Sequence, residues 1–385
     1  MSERARRICF GIAAASFVAG MAVAPQAAFE GARLGLNTWW EIVVPALLPF
    51  FIGTELLMTF GVVRLLSALL EPVMRPIFAL PGAASFALAM GYTSGYPMGA
   101  IVVARLRHEG LLNREEAERA ISFCNNASPL FMLVAVSVGM FGNPRLGPFI
   151  LAVHYGANFV IGVLLGLLTA RSAARTPGPV IEAGGLRVPG SLLGDAVAEG
   201  VKKILQVGGF IVLFAVVLAL ARHFGLLTLP TRFLGATLNA LGLAPELAAA
   251  LVSGFFEMTL GTRLAANSAA PLVQQLMVVQ ALLAWGGLSI QAQIAAFVAE
   301  TDIRLHLYYL SRAGHIALST LLTVLLFPYL ESATPTMAES PAQTLWSWWT
   351  MLCTASGVAA AVPVLLLLCG LTCRAGRRLL HVLKL

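Results

Sequence analysis

The stretch Ser122-Phe-Cys-Asn-Asn-Ala-Ser-Pro-Leu-Phe131 sits within residues 115–141, a segment otherwise apolar enough to enter a membrane. Two adjacent amides, Asn125 and Asn126, then Ser128 and Pro129, break it in the middle. A backbone broken at membrane depth exposes N–H and C=O groups that only protein or a water-filled cavity can satisfy. Ser as N-cap with Pro at the first helical position restarts a helix there. The new N-terminus carries partial positive charge and free donors, a ready anion site, and the amides both donate and accept. Two buried amides are hard to excuse as packing, so the break reads as a functional site.

Moving 159 residues along, Asn125-Asn126 falls on Ala284-Trp285, beside Gly286, Gly287, Ser289 and Gln291, in the second broken apolar segment, 271–301. The same shift puts Ser94-Gly95 on Ser253-Gly254, and the apolar run 151–168 on 310–327. The register holds without a gap from residue 51 to residue 168. Few identities survive, so the repeat is one of pattern. Two equivalent halves, each broken by Ser, Gly, Pro or Asn in matching places, mark a secondary transporter.

Composition sets the solvent. Of 385 residues 58% are hydrophobic and 11% charged, with mean hydropathy +0.85, whereas soluble domains carry about a quarter charged residues. Apolar runs of about 20 residues match the thickness of a bilayer. The net charge of +7 resolves into short clusters beside these runs, a topology signal rather than a nucleic-acid footprint. Cysteines at 9, 124, 353, 369 and 373 form no metal-type pair. Arg4, Arg6 and Arg7 before the apolar stretch 8–24 suggest a signal peptide or an uncleaved first helix, and the membrane-embedded remainder favours the helix.

Full crossings are expected at 8–28, 36–60, 148–170, 202–223, 304–328 and 346–372, with broken ones at 115–141 and 271–301. Two amphipathic stretches, 62–79 and 226–241, each precede an interrupted apolar segment, 83–106 or 244–267, read as a re-entrant helical hairpin. With the N-terminus inside, Arg105, Arg107, Arg114, Arg119, Lys202, Lys203, Arg304 and the basic tail fall inside. Arg33, Arg145, Arg222 and Arg232 fall outside, as does the 330–345 loop, which has no basic residue. Both termini are then cytoplasmic. Three crossings separate the starts of the halves, an odd number, so the repeat is inverted. The expected fold is an all-α polytopic membrane protein, an inverted repeat with two re-entrant hairpins and two broken transmembrane helices. Its parts are an N-terminal helix (1–35), first repeat (36–170), cytoplasmic linker (171–201), second repeat (202–330), and loop with final helix (331–385).

The substrate-binding candidates are Ser94, Gly95, Tyr96, Pro97, Asn125, Asn126 and Ser128 in the first half. Those in the second are Ser253, Gly254, Thr259, Gly287 and Ser289. Ionisable residues at membrane depth are costly and usually functional. Glu257 is the ion-coupling candidate, with helix capping as its structural alternative. Arg263 could neutralise an anionic substrate or pair with Glu257. His154 reads as a helix-end contact. Glu55 either couples protons or pairs with a neighbouring arginine. Arg312 and His315 read as snorkelling to the cytoplasmic surface. The run 105–119 is a solvated end with a helix capped by Asn113. No phosphate-binding loop, zinc-protease or serine-hydrolase motif is present, so no enzyme activity is expected, and no cofactor beyond a coupling H+ or Na+.

Ser94-Gly95-Tyr96-Pro97-Met98-Gly99-Ala100, Glu109-Gly110-Leu111, Glu115–Arg119, Ser122–Phe131 and Gly254–Thr262 together resemble the YlbJ family of sporulation integral membrane proteins, over roughly 40–330. That family belongs to the wider nucleoside-recognition or gate-domain group, related in architecture to concentrative nucleoside transporters. The resemblance implies export of dipicolinic acid from the mother cell, across the outer forespore membrane if the host sporulates. The Ser-Gly-Tyr-Pro run is not repeated in the second half. The expected partners are a small dipicolinate- or nucleoside-like substrate and the lipid bilayer, with no nucleic acid, and a homo-oligomer stays open. The alternatives are a nucleoside transporter and a non-transporting scaffold in spore or envelope assembly.

Overall fold

The computed structural model describes residues 3–60, 62–169 and 189–332; the expected crossing at 346–372 and the linker up to residue 188 lie outside them. Every regular element among the described residues is a helix. In order they are α1 (Glu3–Val23), α2 (Pro25–Thr38), a π-helical turn (Trp39–Val43), α3 (Val44–Thr59), α4 (Val62–Phe78), α5 (Ala84–Ser94), α6 (Met98–His108), α7 (Arg114–Cys124), a π-helical segment (Phe131–Met140) and α8 (Leu146–Thr169). The second half follows as α9 (Pro189–His223), α10 (Thr228–Ala240), α11 (Leu247–Phe256), α12 (Met258–Ala266), α13 (Leu272–Trp285), α14 (Gly287–Val298) and α15 (His306–Ser332). From α2 onward the succession of a long helix, an amphipathic helix, two hairpin arms, two half-helices and a closing long helix occurs twice.

Among the described residues, four helices are long and apolar enough to cross a membrane: 146–168, 192–223, 272–298 and 306–330. A fifth span is reached if 11–23 and 25–41, bent by 106°, count as one. With these spans the chain is a multi-pass membrane protein. Burial is inverted relative to a soluble fold. On α15, Tyr308, Arg312, His315, Ser319 and Thr323 are fully buried, while Leu310, Leu321 and Leu325 are more than half exposed. Polar-in and apolar-out is what a lipid solvent selects.

Three boundaries differ from expectation. The N-terminal break falls at Ala24-Pro25, and helix runs from there through the π turn to Thr59, not as separate crossings at 8–28 and 36–60. Helix α9 begins at Pro189 and takes in the last thirteen residues of the segment read as linker, because proline suits a first helical turn. The second hairpin turns at Glu257, not at Ser253-Gly254, which lie in the last turn of α11. There Gly254 is a crossing point: a Cβ on Gly261 would sit 2.3 Å from the Gly254 Cα, so the arms close only with glycine.

The halves pack reciprocally. The long helices α2–α3 and α9 lie along each other, and α8 meets α15. A Cβ on Gly31 would fall 2.7 Å from the Ala219 Cβ, and one on Gly35 2.9 Å from the Ala215 Cβ, small faces that let backbones approach. Hairpin arm α6 packs on α14, and α12 on the 131–140 segment; α7 packs on α15, and α13 on α8.

At one end, ion pairs join the halves. Arg107 Nε donates to Asp302 at 2.8 Å, Arg304 Nε to Glu118 at 3.0 Å, and Glu55 pairs with both Arg105 and Lys203. The basic members of this set are all residues that the charge bias assigns to one face of the membrane. For Glu55, pairing is what the geometry shows.

Candidate functional site

Sequence places Gly95 at the tip of the first hairpin with φ +81°, a backbone that favours glycine. A Cβ there would lie 2.6 Å from the Ser128 nitrogen. The arms straddle the end of α7: a Cβ on Gly91 or Gly99 would collide with the Cys124 carbonyl. Hairpin 94–97 and break 125–128 are thus one structural unit. Ser128 caps the restarted helix by accepting from the Phe131 N–H at 3.1 Å.

In the second half Gly286 and Gly287 both have positive φ, and a Cβ on Gly287 would meet Met258 N at 3.0 Å. Hairpin tip and helix break again meet. Glu257 is the N-cap of α12, its carboxylate accepting from Thr259 N at 2.9 Å and Leu260 N at 2.7 Å. Among the described residues it forms no ion pair with Arg263, which is exposed. Ser253 is buried, and Ser289 accepts from Gln293 Nε2 at 3.4 Å.

The residue that organises the centre is one that sequence reading sent to the surface. Arg312 is fully buried. Its Nη1 donates to the Tyr96 hydroxyl at 3.2 Å and to the Asn125 carbonyl at 3.1 Å. Nη2 donates to the Ser122 carbonyl at 2.6 Å and to Asn158 Oδ1 at 3.1 Å. The guanidinium lies 5.2 Å from the Tyr308 ring centroid, within cation–π range. It therefore satisfies carbonyls at the C-terminal end of α7, where a helix prefers a cation. No carboxylate among the described residues pairs with it. Arginine keeps its charge, so this is a fixed positive charge held by neutral acceptors.

His154 and His315 are also fully buried rather than peripheral. Their rings lie 4.5 Å apart. Snorkelling and helix-end contact are both corrected by this burial, whose physical cause is the polar stripe of α15 turned inward. The spacing 308, 312, 315, 319, 323 on an apolar helix was the available signal: one face, all polar.

Several polar atoms at this centre have no partner among the described residues: both amide atoms of Asn125, Asn126 Oδ1, Ser94 Oγ, Gln291 Oε1, the Tyr308 hydroxyl and Arg312 Nε. A buried orphan group costs about 1–3 kcal/mol. The Tyr308 hydroxyl faces Asn125 and Gln291, so these three polar side chains cluster across the halves. Tyr96 adds a second link, donating to the Leu283 carbonyl at 3.2 Å. Of the expected residues, Ser94–Pro97 and Asn125–Ser128 are brought together. No hydrogen bond among the described residues joins Ser253, Gly254, Glu257 or Thr259 to Asn125, Asn126 or Ser128. A cleft of about 240 Å³ lined by Pro49, Phe50, Gly53, Thr54, Leu57 and Met90 shares no residue with this centre.

This arrangement is a buried polar cluster that surrounds a fixed cation. The nucleoside-recognition (Gate) family model matches residues 40–144. The sporulation integral membrane protein YlbJ of Bacillus subtilis (strain 168) is 40% identical over 330 residues, 80% of each chain. No solved structure matches significantly.

Proposed function

The chain belongs to the family of the sporulation integral membrane protein YlbJ, and from that premise we propose that it is a secondary transporter of a small anionic metabolite. Dipicolinate, leaving the mother cell across the outer forespore membrane, is the substrate we assign. The observation that carries the reading is Arg312, a buried cation without a counter-charge among the described residues, set beside the side-chain amide of Asn125. A substrate carboxylate would supply the missing negative charge, and charge-assisted hydrogen bonds are the strong ones. The amides, Gln291 and the Tyr308 hydroxyl would take its remaining polar edges.

The two halves are then an inverted repeat about an axis in the membrane plane, with the hairpins re-entering from opposite sides. Their reciprocal packing supports this, since a two-fold relation requires that each contact have its mirror. Alternating access follows as rocking of the hairpin-and-break unit of one half against the other. The Arg107–Asp302 and Arg304–Glu118 pairs would then hold the cytoplasmic end. The same charge bias supports a cytoplasmic position for both termini. Glu257 serves α12 as its cap, which explains its position without a coupled ion.

The test is flux into proteoliposomes holding only this protein. Labelled dipicolinate should move saturably, with competition by unlabelled dipicolinate and not by uridine. Flux of uridine instead would make the substrate a nucleoside, and flux of neither would favour a scaffold.

A further inference from the structure

His154 on α8 and His315 on α15 sit on the two helices that close the halves, ninth and tenth from the helix starts at Leu146 and His306. Their hydrogen bonds fix their tautomers. His315 Nδ1 is 3.4 Å from Arg312 Nη1, which only donates, and Nε2 is 2.9 Å from the His154 carbonyl, which only accepts. His315 therefore carries its proton on Nε2 and a lone pair on Nδ1. His154 Nε2 accepts from the Ala127 N–H at 3.4 Å, so its proton is on Nδ1. That N–H is buried and without a partner among the described residues. One imidazole thus touches the break at Ala127 and the other touches the cation of the anion site.

We propose that His154 and His315 form the proton-binding site that couples transport, loaded when an anion engages Arg312. This rests on the anion-transport reading above. Arg312 Nη1, whose two N–H groups are shared among Tyr96, Asn125 and His315, lies against the His315 lone pair, and a proton on Nδ1 would face a donor-only group. An anion that draws the guanidinium toward itself frees Nδ1. A proton from water on the open side adds there, giving an imidazolium. On the far side the proton leaves for water, the anion departs, and Arg312 Nη1 returns to Nδ1. One anion moves with one proton, and charge and protons balance. Binding of each favours the other, as linkage requires.

The groups facing the pair are compatible with this assignment. Arg312 is the charged one. Tyr92 and Tyr96 come from the first hairpin, Cys124 from α7, Tyr155 from α8 and Tyr308 from α15. Helix α13 and the 131–140 segment contain no titratable residue, and Glu71 and Arg75 of α4 are paired with each other. The proton is placed on the imidazoles rather than on Glu257, whose two oxygens are engaged by α12.

The experiment uses the full chain in proteoliposomes with labelled dipicolinate as probe. Counterflow without a pH gradient tests the transport reading; accumulation under an imposed gradient, with pyranine reporting lumenal pH, tests the coupling. The parent should show both. His315→Gln and His154→Gln should keep counterflow within a few-fold of the parent and lose at least about tenfold in gradient-driven accumulation. Accumulation at the parental level in both variants overturns the proton site, as does parental counterflow indifferent to the gradient. A variant that elutes as the parent yet loses counterflow makes that histidine a positioning residue and also overturns it. Parent vesicles without counterflow overturn the transport reading itself.

Discussion

Arg312 Nη1 donates to the Tyr96 hydroxyl at 3.2 Å, tying the closing helix of the second half to the hairpin tip of the first. The same hydroxyl donates to the Leu283 carbonyl on α13. A single phenol therefore sits between a fixed cation and the helix that precedes the second break.

Replacing Arg312 separates charge from packing. Arg312→Lys keeps the charge but cannot reach the Tyr96, Asn125, Ser122 and Asn158 oxygens at once, because an ammonium lacks the planar fork. Dipicolinate flux should fall at least about 100-fold, equivalent to about 2.7 kcal/mol, in both Arg312→Lys and Arg312→Gln. The check is initial rate in proteoliposomes, normalised to protein that elutes as the parent.

Asn125→Ala should split stability from function. Both amide atoms of Asn125 are buried without partners among the described residues, so deleting them removes a desolvation cost of about 1–3 kcal/mol. Thermal unfolding in detergent should be unchanged or shifted upward, while dipicolinate flux is lost. A large fall in the unfolding temperature would mean that the amide has a structural partner.

The two glycines where hairpin tip meets helix break should tolerate nothing larger. Gly95→Ala and Gly287→Ala combine positive φ with backbone closer than van der Waals contact, at a cost of about 1–3 kcal/mol each. Gly209→Ala, whose Cβ would meet nothing within 4 Å, should be neutral or stabilising by up to about 1 kcal/mol. Melting temperatures of the three variants settle this.

Those glycines show how much the chain declared in advance. The Asn125-Asn126 break, the Ser128 cap, the Gly286-Gly287 break, both amphipathic helices and the paired halves were legible, because each uses local backbone chemistry. The turn at Glu257 was not: Ser253-Gly254 mimics a turn, but its glycine serves the close approach of Gly261, a tertiary demand. Arg312 and His315 were misplaced for a related reason. Distance along a helix from its end suggests snorkelling, while the face that they share with Tyr308 and Ser319 points inward, and only packing against α7 and α8 decides between these.

The ion pair between Arg107 and Asp302 gives a pH signature at the end where ion pairs join the halves. The guanidinium holds the Asp302 carboxyl below the usual aspartate range. Its contribution is therefore complete above about pH 4, the unfolded value, and is lost as pH falls through the lower folded value. Asp302→Asn should remove this acid-dependent part and its salt sensitivity. Melts of parent and variant between about pH 3 and 6 should converge at the acid end and diverge above it.

Glu257→Gln and Glu257→Ala distinguish a cap from a coupling group. Loss of the cap in Glu257→Ala should cost about 1–2 kcal/mol, while Glu257→Gln keeps an acceptor and should retain gradient-driven accumulation. Loss of accumulation in a well-folded Glu257→Gln protein would return the coupling ion to this carboxylate.

Equilibrium binding of labelled dipicolinate to the purified protein, parent against Arg312→Gln and Asn125→Ala, tests the central claim most directly. Saturable binding by the parent, weakened at least about tenfold in both variants, equivalent to about 1.4 kcal/mol, is the predicted result. Binding of equal strength in all three proteins, or none in the parent, would contradict an anion site built on Arg312.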